Sequence, residues 1–259
     1  MIGNMGAALA SGAAVGFSLG LVGCGGSILA TPLLLYVVGV SQPHIAIGTG
    51  ALAVSVNAFA NFAGHARAGN VRWRCAIVFA VIGTVGALAG STLGKLVDGD
   101  HLLFVFGLLM LSVAGMMLRR RRENAAPERP ADLRTCLITA AVSFSAGLAS
   151  GFFGIGGGFL IVPGLLLATR MPMIKAVGSS LLAVACFGLA TAINYSLSGL
   201  VDWPVAAEFI GGGIIGGFIG MTLANRLSTQ KNTLNRILAV LIFIVALYVL
   251  YRSGMTLIG

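Results

Sequence analysis

The sequence predicts an all-α, polytopic membrane protein made of two inverted-topology repeats. Each repeat holds a re-entrant or broken helical hairpin followed by three transmembrane helices. Three observations predict this. Hydrophobic residues make up 58% of the 259 residues and charged residues only 9%, where a soluble domain carries about 25% charged. Long stretches lack any charge, since the first basic residue is Arg67 and the first acid is Asp98. Finally, "GLVGCGGSILATP" at 20–32 returns as "GFFGIGGGFLIVP" at 151–163 with the same glycine and proline spacing.

A crossing helix needs about 20 apolar residues, so residues 1–66 have room for three. Further charge-free runs follow at 75–94, 102–118, 135–169, 176–201, 209–225 and 237–251. "ALASGA" near residue 10 has no basic segment before it and reads as part of the first helix rather than a cleavage site. The net charge of +9 lies mostly in short loops, with "RRRR" at 119–122 the densest block. That distribution marks a cytoplasmic side and predicts no nucleic-acid partner. The four cysteines, Cys24, Cys75, Cys136 and Cys186, lack the spacing of a disulfide framework or a zinc site. No cofactor is expected.

Shifting the chain by 131 residues superposes Gly16, Gly20, Gly23, Gly25, Gly26 and Pro32 on Gly147, Gly151, Gly154, Gly156, Gly157 and Pro163. With one residue lost, "AIGT" at 46–49 meets "AVGS" at 176–179. Gly69 and Trp73 then meet Gly199 and Trp203, and Gly83, Gly86 and Gly90 meet Gly213, Gly216 and Gly220. The first repeat is 1–118, the linker 119–134, and the second repeat 135–259. In each repeat two arms flank the glycine cluster, near 6–22 and 27–40, then near 134–153 and 158–169. Three helices follow, near 46–66, 74–96 and 101–118, then near 175–198, 204–225 and 233–252.

Five segments per repeat is an odd number, so the second copy enters the membrane upside down. Both termini are placed outside. Fourteen of the sixteen Lys and Arg residues then fall on the cytoplasmic side with the linker, and only Lys95 and Arg252 fall outside, near Asp98, Asp100 and Asp202. Multi-pass residence in the cell membrane follows, with the lipid bilayer as surroundings. A homo-oligomer is compatible with the sequence.

The arm after each cluster has about 12–14 residues, or roughly 20 Å, too short for the hydrocarbon core. That length predicts hairpins whose glycine ends reach mid-depth from opposite faces and meet there. Irregular backbone at such depth survives where protein or a water-filled cavity surrounds it. Helix N-termini starting at the clusters would offer unpaired amides to an anion. The cluster residues Gly23, Cys24, Gly25, Gly26 and Ser27, and Gly154, Ile155, Gly156, Gly157 and Gly158, are therefore candidate substrate ligands. Gly16/Gly20, Gly86/Gly90 and Gly212/Gly216/Gly220 have the small-xxx-small spacing of close helix packing instead.

Paired glycine–proline segments, a basic central linker and two homologous halves resemble the TauE/SafE family of membrane transport proteins. The resemblance covers nearly the whole chain. It implies transport of a small inorganic or organosulfur anion such as sulfite or sulfoacetate, mostly outward. The first half departs from the fuller GxGGG form at Cys24 to Ser27.

Other polar residues complete the candidate site. Thr49 and Ser179–Ser180 follow matched glycines, and their hydroxyls can donate to an oxyanion or serve helix ends. Asn57, Asn61 and Asn194 sit in apolar helices, where an amide lines a cavity or bonds a neighbour. His65 and Tyr195 occupy matched positions near helix ends and are read as interfacial. Glu208, the acid inside an apolar run, is near enough to a helix end to reach water. No enzymatic constellation lies at membrane depth. The alternatives are a sulfur-relay protein or enzyme using Cys24, and a cation-coupled importer of a related anion.

Overall fold

A computed structural model describes the chain except residues 1, 23–25, 119–132, 155–159, 163–164, 166–168, 170, 172, 227–230 and 259. The described residues are almost wholly helical: α1 (Ile2–Val22), α2 (Ser27–Leu33), α3 (Pro43–Arg67), α4 (Trp73–Leu96), α5 (Gly99–Leu118), α6 (Leu133–Phe153), α7 (Met173–Ser196), α8 (Trp203–Arg226) and α9 (Lys231–Ile258). α3, α4, α7 and α8 are each long and apolar enough to cross a bilayer. The protein is an all-α polytopic membrane protein.

Local chemistry sets the boundaries. Pro43 opens α3 in the first-turn position that suits a residue without an N–H. Pro32 lies inside α2, where it cannot donate to the carbonyl one turn back. The helix widens just beyond it into a π-type turn over Leu34–Val38, and Gly39 ends it at φ 84°. Trp73 and Trp203 begin α4 and α8 and are exposed, as aromatic residues at a membrane surface are.

α3 and α7 form the buried centre and run antiparallel. Gly48 packs on Tyr195 and the Leu200 carbonyl, Gly178 packs on the Asn70 carbonyl, and Ser55 Oγ donates to Ala185 O at 2.7 Å. α1 lies parallel on α8, α6 lies parallel on α4, and α5 pairs with α9. Those parallel pairs touch backbone to backbone. Gly12, Gly16 and Gly20 meet the carbonyls of Phe209, Gly213 and Gly217; Gly147 and Gly151 meet those of Gly83 and Ala87. A methyl group at any of these glycines would overlap main chain. The expected packing stripes at Gly86/Gly90 and Gly212/Gly216/Gly220 fall in the same two interfaces.

The contacts recur at the sequence offset. Gly16 on Gly213 mirrors Gly147 on Gly83, and Gly220 on Phe17 mirrors Gly90 on Leu148. α1 is therefore held by α8, and α6 by α4. Outward faces match too: Val85 and Leu88 on α4, and Ile215 and Phe218 on α8, are all exposed.

The expected hairpin ends, residues 23–25 and 155–159, lie outside the described residues, while the helices that lead to them are described. α1 and α6 have 21 residues each, about 31 Å of helix, enough to traverse the core. Gly20 lies beside Gly217 and Met221, toward the C-terminal end of α8. Gly154, at φ 66°, lies against Ile47 in the second turn of α3, while Phe152 touches Gly94 near the end of α4. The N-termini of α3 and α8 and the C-termini of α4 and α7 share one end of the bundle. Hence α1 and α6 run toward opposite ends of the bundle. The continuous glycine seams carry each first helix past the middle.

Candidate functional site

Of the predicted ligands, Gly23, Cys24, Gly25, Ile155, Gly156, Gly157 and Gly158 lie outside the described residues. Gly26 is buried, with room for no side chain between α2 and the Val15 carbonyl (2.5 Å from an ideal Cβ). Ser27 starts α2 and is fully buried.

The hydroxyls have structural partners. Thr49 Oγ1 accepts the Asp202 amide at 3.0 Å, and Ser179 Oγ accepts the Arg72 amide at 2.9 Å. The second turn of each central helix thus fastens the loop after the other. Ser180 Oγ donates to Val177 O within its own helix at 2.8 Å. Asn61 Nδ2 donates to Asn57 O at 2.9 Å. Asn194 accepts from Lys95 Nζ at 2.8 Å and donates to Ser91 Oγ at 2.6 Å and Thr92 Oγ1 at 3.1 Å.

Asn57 differs from all of these. It is 0% exposed, and neither its amide nitrogen nor its oxygen has a hydrogen-bond partner. It sits near the middle of α3, where its side chain presses on Gly213. Gly213 in turn meets Gly16, so α1, α3 and α8 come together at this amide. Leaving such a group unpaired costs about 1–3 kcal/mol. It can donate to, and accept from, a polar guest at mid-depth.

Sequence reasoning placed His65 and Tyr195 at the membrane surface, whereas both are buried. His65 Nδ1 and Tyr195 OH have no partner. Tyr195 also gathers His44, 6.2 Å away between ring centroids, and Lys95 Nζ, 5.9 Å from its ring. The matched positions of His65 and Tyr195 were the available signal; their burial depends on loops that fold back over the helix ends. Asn70 N donates to His65 O at 3.0 Å, and Leu200 N donates to Tyr195 O at 3.0 Å.

Charge divides between the ends. Arg67, Arg72, Arg74 and Lys175 lie at one end of the central helices, while Asp98 and Asp202 lie at the other. Glu208, in the second turn of α8, is partly buried.

The family description "Sulfite exporter TauE/SafE" matches residues 8–249. The chain belongs to the TauE/SafE family. Relatives agree with that membership. A "Probable membrane transporter protein" of Xylella fastidiosa (strain 9a5c) is 57% identical over 252 residues, covering 97% of both chains. "Probable membrane transporter protein YunE" of Bacillus subtilis is 23% identical over 254 residues, covering 90% of this chain and 92% of its own. "Sulfite exporter TauE/SafE family protein 5" of Arabidopsis thaliana is 35% identical over 99 residues, which are 38% of this chain and 22% of that protein. No solved structure matches. As a TauE/SafE member, the chain is a membrane transporter.

Proposed function

We propose that this transporter moves a small sulfur-containing oxyanion, sulfite or an organosulfonate such as sulfoacetate, out of the cell. The observation that carries the reading is Asn57, a fully buried mid-depth amide with both polar atoms free. It suits a guest that both accepts and donates hydrogen bonds, as a partly protonated oxyanion does. The family description names sulfite, and a scarcity of acids within the four long apolar helices disfavours a cation as cargo.

Residues 1–118 and 135–259 are read as inverted copies, with both termini outside and the basic linker 119–134 cytoplasmic. The basic end of the bundle then faces the cytoplasm, as the positive-inside rule requires. Access alternates between the faces. Because each copy's first helix is held by the other copy, the moving bodies are the α1–α8 and α4–α6 pairs. They shift about the central α3–α7 pair.

Each negative charge leaving a cell with a negative interior gains about 2.3 kcal/mol per 100 mV. Net efflux then needs no coupled cation. Sulfite release from proteoliposomes should accelerate when an inside-negative potential is imposed. A rate indifferent to potential would overturn uncoupled efflux.

A further inference from the structure

We infer that a second anion-binding station lies at the acidic end of the bundle, formed by Tyr195, His44 and Lys95. The inference rests on the oxyanion reading above and adds a place where the anion pauses, distinct from Asn57.

The cluster gathers buried polar groups that the chain itself leaves unsatisfied. Tyr195 is 0% exposed, and its phenol oxygen has no partner. The buried Nδ1 of His44 has none either. The two rings approach to 6.2 Å between centroids, inclined at 38°. Two neighbouring groups able to donate are thus both withdrawn from water without a hydrogen bond, a costly arrangement for a purely structural corner.

Lys95 supplies charge. Its ammonium donates to Asn194 O at 3.1 Å, Asn194 Oδ1 at 2.8 Å and Ser198 Oγ at 2.9 Å, all neutral acceptors. No carboxylate pairs with it among the described residues. It lies 5.9 Å from the Tyr195 ring centre. Asn194 in turn is braced by Ser91 and Thr92 of α4, so the cation is held in place rather than swinging in solvent. A partly buried positive charge without a counter-charge, beside two unpaired donors, fits a small oxyanion and disfavours a cation.

Position agrees with a stop on the path. Tyr195 packs on Gly48, and Gly154 packs on Ile47 one residue away along α3. Gly154 therefore lies at the same end of the central helices as Tyr195. Asn57 lies nine residues further along α3 than Gly48, about 13 Å of helix rise, so one anion cannot touch both. At the basic end the sequence positions matching Tyr195, His44 and Lys95 hold His65, Ile174 and Asn225. That set carries no cation to match Lys95, so the full trio belongs to one end only.

Thermal unfolding of the purified full-length protein, titrated with sulfite and with chloride as control, tests the station. Tyr195→Phe removes only an oxygen that bonds nothing in the ligand-free protein. Its ligand-free Tm should equal or exceed the wild-type value, while its apparent Kd for sulfite rises at least tenfold. Lys95→Gln should weaken sulfite to a similar degree. If both variants bind sulfite as wild type does, the station is wrong and the transport reading stands. If wild type shows no shift with sulfite, sulfoacetate, thiosulfate or sulfate, the oxyanion reading falls, and the station with it.

Discussion

Two matched places in the bundle share a backbone and differ in chemistry. On one side Asn57 and Asn61 of α3 press on Gly213 and Gly217 of α8. On the other, Phe187 of α7 presses on Gly83 of α4, with Thr191 and Ala87 at the positions matching Asn61 and Gly217. Phe187 stacks on Phe79 at 6.3 Å and fills its niche with carbon. Asn57 fills the equivalent niche with an amide that nothing satisfies. Both arrangements exploit a missing side chain on the facing helix. The matched positions therefore share a scaffold and differ in filling: one niche is packed with carbon, and the other holds an unpaired amide.

The largest test of that comparison addresses what the niches share. Gly16→Leu and Gly147→Leu each drive a side chain into main chain, which cannot yield as a flexible side chain would. Overpacking in a tight core costs about 1–3 kcal/mol or more. Both variants should lose nearly all folded protein, as read by size-exclusion chromatography in detergent. Survival of either would mean that its seam is looser than its twin.

The next test separates the niches. Phe187→Ala should cost about 3–5 kcal/mol through the cavity it opens. Asn57→Leu exchanges an unpaired amide for an apolar group of similar size and should leave Tm unchanged or raised. Sulfite flux should nonetheless fall at least tenfold, the equivalent of about 1.4 kcal/mol. Intact flux in Asn57→Leu would turn that niche into a packing site like its twin. The smallest effect is expected where the copies are most alike. Thr49→Val and Ser179→Ala each orphan one loop amide, at about 1 kcal/mol apiece. Unfolding midpoints that fall by similar amounts would sharpen the equivalence, and a much larger fall in one would break it.

Much of the fold was legible because its signals are local or repetitive. Charge-free runs gave the helices, and the glycine register that aligns 16–26 with 147–157 reappears in the packing of α1 on α8 and α6 on α4. What holds the first arm of each hairpin was not legible. By itself α1 reads as any apolar helix, and its partner is set by Gly12, Gly16 and Gly20 finding α8 nearly 200 residues later. The site was only partly legible for a related reason. Thr49, Ser179, Asn61, Asn194 and Asn57 are all polar residues in apolar helices; Asn61 bonds its own helix, and only tertiary neighbours decide that Thr49, Ser179 and Asn194 are occupied and Asn57 is not. Nothing local to Tyr195 announces that His44 and Lys95 will gather around it.

The crossed holding of first helices has a consequence for biogenesis. As the chain leaves the ribosome, α1 enters the bilayer long before α8 exists, so its glycine face must rest against lipid or an insertion factor in the meantime. α4, by contrast, waits only for α5, the linker and α6. A chain stalled before residue 203 would have a sealed α4–α6 seam and an α1 whose glycine face lacks α8. Synthesis thus ends with a clasp: the late helix secures the early one.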